Sequence, residues 1–259
     1  MIVLKSEDEL ARMREAGRIV ARVHEALKKR ISPGVTTAEL DKLAEQVIRQ
    51  HGAVSSFLGY PHSGKNDFPS SVCTSINKEV VHGIPSHERV LKEGDIISVD
   101  VGTIYEGWQG DAAFTVGVGR ISSEAQRLID VTDQSLVKAI EQCQPGNRLW
   151  DVMGAVQRHV EAAGFSVIRE YQGHGIGRKM HETPSIPNFL DKDRRRRPKN
   201  WLLKPGMTLA IEPMVCQGDW RTRTLDDGWT VVTLDGKLSA HSEHTVAITE
   251  NGPEVLTRL

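Results

Sequence analysis

The sequence predicts an α+β fold built from two halves of like design, each running helix, helix, then strands. Three observations carry that expectation. Leu91-Lys92-Glu93-Gly94 is followed six residues later by Asp100, and Leu203-Lys204-Pro205-Gly206 six residues later by Glu212, with both pairs 112 residues apart. The same offset relates Pro33-Gly34 to Pro145-Gly146 and Gly52 to Gly164. One such coincidence is chance, whereas several at one offset indicate a duplicated unit. In each half two amphipathic stretches precede short β-type runs, and no Gly-, Ser- or Pro-rich linker separates the halves. One domain over 1–259 is therefore expected, with duplicated units at about 1–120 and 121–259 forming a curved sheet backed by helices about a pseudo-twofold axis.

The elements follow in order. Ser6 to Arg30 reads as a helix with Ser6 as N-cap and Glu9 three residues on, and Leu10, Met13, Ile19, Val20, Val23 and Leu27 recur at helical spacing. Pro33-Gly34 ends it, and Thr37, with Glu39, Leu40, Leu43, Val47 and Ile48, starts a second helix that stops at Gly52. In the second half Ser122 or Ser123 caps a helix carrying Leu128, Ile129, Leu136, Val137 and Ile140, and Leu149 to Ala163 forms another that ends at Gly164. Alternating Val and Ile runs predict strands at Ser71–Thr74, Asp95–Thr103 and Ala113–Val118, then at Phe165–Arg169, Met207–Ile211, Thr230–Thr233 and His244–Thr249. Gly59 to Pro69 is turn-rich and reads as a loop. Asp191 to Asn200, with four consecutive arginines, reads as a solvated loop, and contact with an RNA-rich partner is the sharper alternative.

Composition narrows the class. With 33 basic and 34 acidic residues the net charge is −1, which gives no ground for specific nucleic-acid or membrane binding. Three well-separated cysteines without a CxxC pair fit a reducing compartment better than a disulfide framework. The N-terminal apolar run is too short for a signal peptide, and no apolar stretch approaches the ~18 residues that span a bilayer. The cytoplasm is the expected location, and nothing demands more than a monomer.

Asp100, Asp111, His174, Glu212 and Glu243 are the candidate ligands of a two-metal centre. Asp100 ends the run Ile96-Ile97-Ser98-Val99, and Glu212 ends Leu209-Ala210-Ile211. A charge inside such a run is costly unless it is paired or bound to metal. Asp111 stands eleven residues after Asp100, which suits neighbouring strands joined by a turn. Carboxylates can bridge two ions, and one imidazole among four of them favours manganese, iron(II) or cobalt, with zinc admitted. Taken singly, each acid reads as a cap or surface ion pair; their joint placement on the repeat makes the case.

Several stretches together resemble type I methionine aminopeptidases, in their short bacterial form. They are Ser71–Pro85 (SVCTSINKEVVHGIP), Gly94–Gly102 (GDIISVDVG) with Gly110-Asp111, Gly173–Gly177 (GHGIG) with His181-Glu182-Thr183-Pro184, Lys204–Met214 (KPGMTLAIEPM) and Asp227–Thr245 (DGWTVVTLDGKLSAHSEHT). The resemblance covers essentially the whole chain and implies the pita-bread fold, with a curved antiparallel sheet. It implies that Asp100 chelates one of two divalent ions, that Asp111 and Glu243 bridge both, and that His174 and Glu212 complete the shell of the other. His82 and His181 would flank the scissile amide, and His244 would be structural. Cys73, Trp229 and Met180 match positions lining or bordering the pocket for the methionine side chain, with Tyr60 and Phe68 as further candidates. The plain alternative for Cys73 and Trp229 is core, and for Cys73 the two readings weigh evenly.

The implied reaction removes the N-terminal methionine from nascent polypeptides with a small second residue. A hydroxide shared by two ions would attack the scissile amide, Glu212 would take the water's proton and pass it toward the leaving amine, and His181 would stabilise the developing oxyanion. Nascent-chain N-termini, met at the ribosome, are the implied partners. Two departures from the family pattern stand out. The loop between Gly59 and Cys73 is longer and includes Ser63, Gly64, Lys65 and Asn66, and Arg194–Arg197 looks inserted between His181 and Glu212. An aminopeptidase or prolidase acting before proline is the nearest rival, and a pita-bread protein that binds without catalysis is the rival from another class.

Overall fold

The structure is a computed structural model that describes residues 2–62 and 66–259, so the Ser63–Lys65 part of the longer loop lies outside the described residues. The first half comprises helices α1 (Glu7–Arg30) and α2 (Thr37–Gln50) and strands β1 (Val54–Ser55), β2 (Cys73–Ile76), β3 (Glu79–Val81), β4 (Ile96–Tyr105) and β5 (Trp108–Gly117). The second begins with α3 (Ser123–Glu141), α4 (Leu149–Ala162), β6 (Ser166–Val167), β7 (Gln172–Gly175) and β8 (Glu182–Pro187). It continues through β9 (Thr208–Ile211), β10 (Met214–Cys216), β11 (Thr222–Thr224), β12 (Val231–Thr233), β13 (Ser239–His241), β14 (His244–Thr249) and β15 (Gly252–Val255).

The helix ends follow their sequence signals. Ser6 and Glu9 form a capping box at α1, acids fill its first turn and Lys28, Lys29 and Arg30 its last, which complements the helix dipole. The six apolar residues expected to face inward on α1 are all buried. At α2 the cap is Thr36, paired with Glu39, and at α3 it is Ser122, whose hydroxyl accepts from the Ala125 amide at 3.1 Å.

Among the described residues all strand pairs are antiparallel, as expected, and are distributed over four hydrogen-bonded sheets: β1-β4-β2 with β5, β13-β10-β6, β11-β12-β3, and β15-β14-β9-β7-β8. One apolar core packs α1 and α2 on Ile97, Val99, Val101, Ala112 and Phe114; a second packs α3 and α4 on Leu209, Ile211, Val246 and Ile248. The 112-residue offset reappears in the backbone. Gly34 donates to the Leu91 carbonyl at 2.8 Å and Gly146 to that of Leu203 at 3.0 Å, with φ of 89° and 90° at the two glycines. Only glycine adopts that left-handed turn without strain. The isolated bridges Thr36–Val90 and Arg148–Leu202 keep the same offset.

Two expectations are corrected in extent. The strand expected at Ala113 begins at Trp108, because Glu106 and Gly107, with φ of 48° and 77°, close a two-residue hairpin that pairs Tyr105 with Trp108. The strand expected at Ser71–Thr74 lies at Cys73–Ile76, where it pairs with Ile97–Asp100. Among the described residues no helix is long and apolar enough to cross a membrane.

Candidate metal centre

The period-two alternation of strands places the acids. On β4, Ile97, Val99 and Val101 point into the core under α1 and α2, which leaves Asp100 on the opposite face. Asp100 lies across from Ala113 and Asp111 across from Gly102, so the two acids are diagonal neighbours on that face. The second half supplies the rest. Leu209 and Ile211 of β9 enter the other core, so Glu212, just past the strand, shares the face of Ala210. His174 of β7 pairs with Ala210, which brings its Nε2 to 3.6 Å from Glu212 Oε1 and 3.8 Å from Asp111 Oδ2. Glu243 precedes β14, and its amide donates to the Ala113 carbonyl at 2.9 Å, tying the two halves together across the site.

The structure therefore brings all five sequence-predicted ligands to one place. Asp111, His174 and Glu243 offer ligand atoms within 4.8 Å of one another. Asp111 lies within hydrogen-bonding reach of the carboxyls of both Asp100 and Glu243. Yet Asp100 Oδ1, Asp111 Oδ1 and Glu243 Oε1 are buried without a hydrogen-bond partner. Burial, and then the charge of the neighbouring acids, drives Asp111, Glu212 and Glu243 well above the usual carboxylate range. Burial also raises Asp100. Among the described residues none of the four has a Lys or Arg within 4.0 Å. Orphaned carboxylate oxygens gathered around an imidazole fit divalent cations, whose charge would relieve both burial and mutual repulsion.

Thr245 holds the bridge candidate in place. Fully buried on β14, its hydroxyl accepts from the Asp111 amide at 3.0 Å and donates to the Asp111 carbonyl at 2.8 Å. Thr245→Val keeps the shape and orphans both backbone groups, at roughly 1–3 kcal/mol each. It is expected to lower the melting temperature and to weaken metal binding by about tenfold or more. Calorimetric titration with manganese checks this, and an unchanged affinity would show that Asp111 needs no such support.

Beside the acids lies a cavity of about 120 Å³, lined by Phe57, Tyr60, Phe68, Cys73 and Trp229 together with His82, His174 and His181. Phe68 packs edge-on to Trp229 at 5.1 Å, and Trp229 Nε1 donates to the Asn66 carbonyl at 2.9 Å, which anchors one end of the long loop. Cys73 is buried, and its thiol is pushed well above its ordinary pKa by burial and the nearby carboxylates. Met180 is not among the lining residues. It is packed behind the cavity with Leu10, Met13 and Trp108, with Phe57 and Tyr60 against the same cluster.

The two histidines occupy different settings. His82 has a φ of 60°, a strained value for a residue with a side chain, and its ring lies edge-on to Tyr171 and Trp229. Burial first, then the nearby His181 and His62, lowers its pKa to about 4, so the ring is neutral at physiological pH. His181 sits on the rim, 4.3 Å from the His174 ring, with Nδ1 at 2.7 Å from the Tyr60 hydroxyl. With Tyr60 donating, Nε2 of His181 keeps its proton and is free to donate in turn. His244 instead bonds Thr257 through Nδ1 at 2.8 Å.

Sequence reasoning missed two residues. Phe57 lies in an irregular segment without periodicity to mark it. His241 on β13 puts Nε2 at 3.8 Å from Glu212 Oε2 and 4.0 Å from Glu243 Oε2. Its signal was its place two residues ahead of Glu243 in an extended segment. The arginine run, by contrast, lies apart from the cavity lining. Arg194–Arg196 forms a single 3-10 turn, and Arg194 and Arg197 stack on Trp150.

Comparison with known proteins agrees with this geometry. The chain is 52% identical to methionine aminopeptidase 1 of Bacillus subtilis over the full length of both. It is 53% identical to a methionine aminopeptidase of Clostridium perfringens over 99% of each. The crystal structure of methionine aminopeptidase from Thermotoga maritima superposes with a TM-score of 0.94 at 45% identity, covering both chains completely. The fold is thus the pita-bread fold that the resemblance implied. Residues 11–250 match the metallopeptidase family M24, and the chain belongs to that family.

Proposed function

We propose that the chain removes N-terminal methionine from polypeptides by metal-dependent hydrolysis, within one catalytic domain built from duplicated halves at about 1–120 and 121–259. The observation that carries this reading is the buried cluster of four acids and His174 opening into a small, largely aromatic-walled cavity beside two histidines. Asp100, Asp111, His174, Glu212 and Glu243 would hold two divalent ions, of manganese, iron(II), cobalt or zinc. When bound, the ions supply positive charge that acidifies water and polarises a carbonyl.

The chain's own residues do the rest. Methionine's flexible thioether enters the cavity among Phe57, Tyr60, Phe68, Cys73 and Trp229, which excludes water from the scissile bond. His82, neutral, accepts from the amide N–H of the second residue and fixes the bond's orientation. His181 donates from Nε2 to the carbonyl oxygen as negative charge develops there, so its loss lowers rate more than binding. Glu212 takes the proton from the attacking water and delivers it to the leaving nitrogen. The new C–O bond replaces the C–N bond, with free methionine and a shortened peptide as products. The small cavity and crowded rim favour a small second residue. Nascent chains as they leave the ribosome are the natural supply of such N-termini, and a cytoplasmic monomer suffices.

The test is hydrolysis of Met-Ala-Ser and of an X-Pro peptide by metal-stripped protein titrated with manganese, cobalt, iron(II) and zinc. Metal-dependent release of methionine with little cleavage before proline is expected. Faster cleavage of the X-Pro peptide would move the assignment to the proline-specific rival. Folded protein that binds metal and cleaves neither would be a binding protein.

A further inference from the structure

We propose that Arg89, together with Glu79, is a positioning residue for His82, clasping the turn that aims its imidazole at the scissile amide. The inference rests on the reading of His82 as acceptor for the amide N–H of the second residue. His82 follows β3, whose Val81 pairs with Val231 of β12, and the chain turns there at a φ of 60°. A left-handed backbone at a residue with a side chain persists only where its surroundings fix it. The next residue is fixed from both ends. The Gly83 amide donates to the Ser75 hydroxyl at 3.2 Å, and the Gly83 carbonyl accepts from the Thr74 amide at 2.8 Å. The turn lies so close to β2 that a Cβ on Gly83 would stand 2.1 Å from the Thr74 carbonyl oxygen.

Arg89 completes the clasp. One guanidinium nitrogen donates to the Thr74 carbonyl at 3.1 Å and to that of Ile84 at 2.6 Å, which ties β2 to the chain two residues beyond His82. The other terminal nitrogen pairs with the carboxylate of Glu79, three residues before His82. Glu79 in turn accepts from the Ile76 amide at 2.8 Å, at the end of β2. Both sides of His82 are thus held to one strand by a single planar fork, and both charged side chains are largely buried. That strand carries Cys73, which lines the cavity as His82 does. Arg89 is not among the lining residues and acts on substrate only through where it puts His82.

Two substrates tested side by side decide this: Met-Ala-Ser, and its depsipeptide in which an ester oxygen replaces the scissile N–H. The ester offers His82 no proton to accept, while the methionine and metal requirements are shared. With saturating manganese, Arg89→Met is expected to lower kcat/KM for the amide about tenfold or more and for the ester less than about threefold, since a 1 Å misplacement can cost ~10². His82→Ala should show the same selectivity, and adding Arg89→Met to it should cost little more. Arg89→Lys keeps the charge but lacks the fork that reaches all three oxygens, so only part of the loss should be recovered. It also stands in if melting shows that Arg89→Met does not fold. Equal losses on both substrates, no loss on the amide, or a full further loss in the His82→Ala background would overturn the proposal and leave the methionine-releasing activity standing. Release of methionine from neither substrate by the unaltered protein would remove that activity and the proposal together.

Discussion

Glu212→Gln is expected to lower kcat for methionine release from Met-Ala-Ser by roughly 10²–10⁴, the range of a lost general acid–base group. Glutamine keeps the length and one oxygen donor, so a metal shell that includes His174 at 3.6 Å from this side chain stays largely complete. It cannot take a proton from water. KM should change less than kcat, because Glu212 acts on the developing transition state more than on bound peptide. The same substitution should raise the melting temperature of the metal-free protein. Burial and the charge of Asp100 disfavour the Glu212 carboxylate, and a neutral amide escapes both. A variant less active and, without metal, more stable separates a functional carboxylate from a structural one. Activity within tenfold of the parent, at metal concentrations shown by calorimetry to be saturating, would remove Glu212 as the proton carrier.

Much of this site was legible in the sequence because charge interrupts pattern. Asp100 and Glu212 each end an apolar run, and strand alternation must turn them away from the core that receives Val99 and Ile211. The face of α1 was legible for the related reason that a 3.6-residue period leaves little choice of buried side. The β7–β8 pair was not legible. Gln172–Gly175 reads Gln-Gly-His-Gly and carries no β-branched residue, so its strand character comes from pairing with β9 and β8 and not from propensity. The cavity wall was legible only in part. Tyr60, Phe68, Cys73 and Trp229 line it, whereas Met180 belongs to a packed cluster behind it, because whether a residue lines a cavity or backs it depends on which neighbour reaches the surface first. His241 escaped notice because no apolar run frames it; its position depends on Thr115, 126 residues away in sequence.

Metal removal is expected to make stability fall with rising pH above about pH 6.5. In the metal-free protein burial raises all four acids, Asp100 to about 7 and Asp111, Glu212 and Glu243 well above their ordinary values. Unfolded, the same groups titrate near pH 4. The folded state therefore holds more protons across this interval. The stability these groups lend is complete below about pH 4 and is lost as pH climbs through their folded values. The buried histidines act in the opposite sense. Burial lowers His24, His174 and His241 to about 3 and His82 and His244 to about 4, so their contribution is present above an unfolded pKa of about 6.5 and is lost on acidification. Between about pH 4 and 6.5 the two slopes oppose each other. Above that only the carboxyl slope remains, at about 1.4 kcal/mol per pH unit for each group still releasing its proton. Bound metal takes the place of those protons, so its binding releases them and its stabilisation grows with pH. Melting temperatures measured in EDTA from pH 6.5 to about 8.5 should decline while those with saturating manganese stay nearly level. A gap that stays constant over that range would mean the acids are already ionised without metal, and would sink the view that the cluster is held together by protons until a cation replaces them.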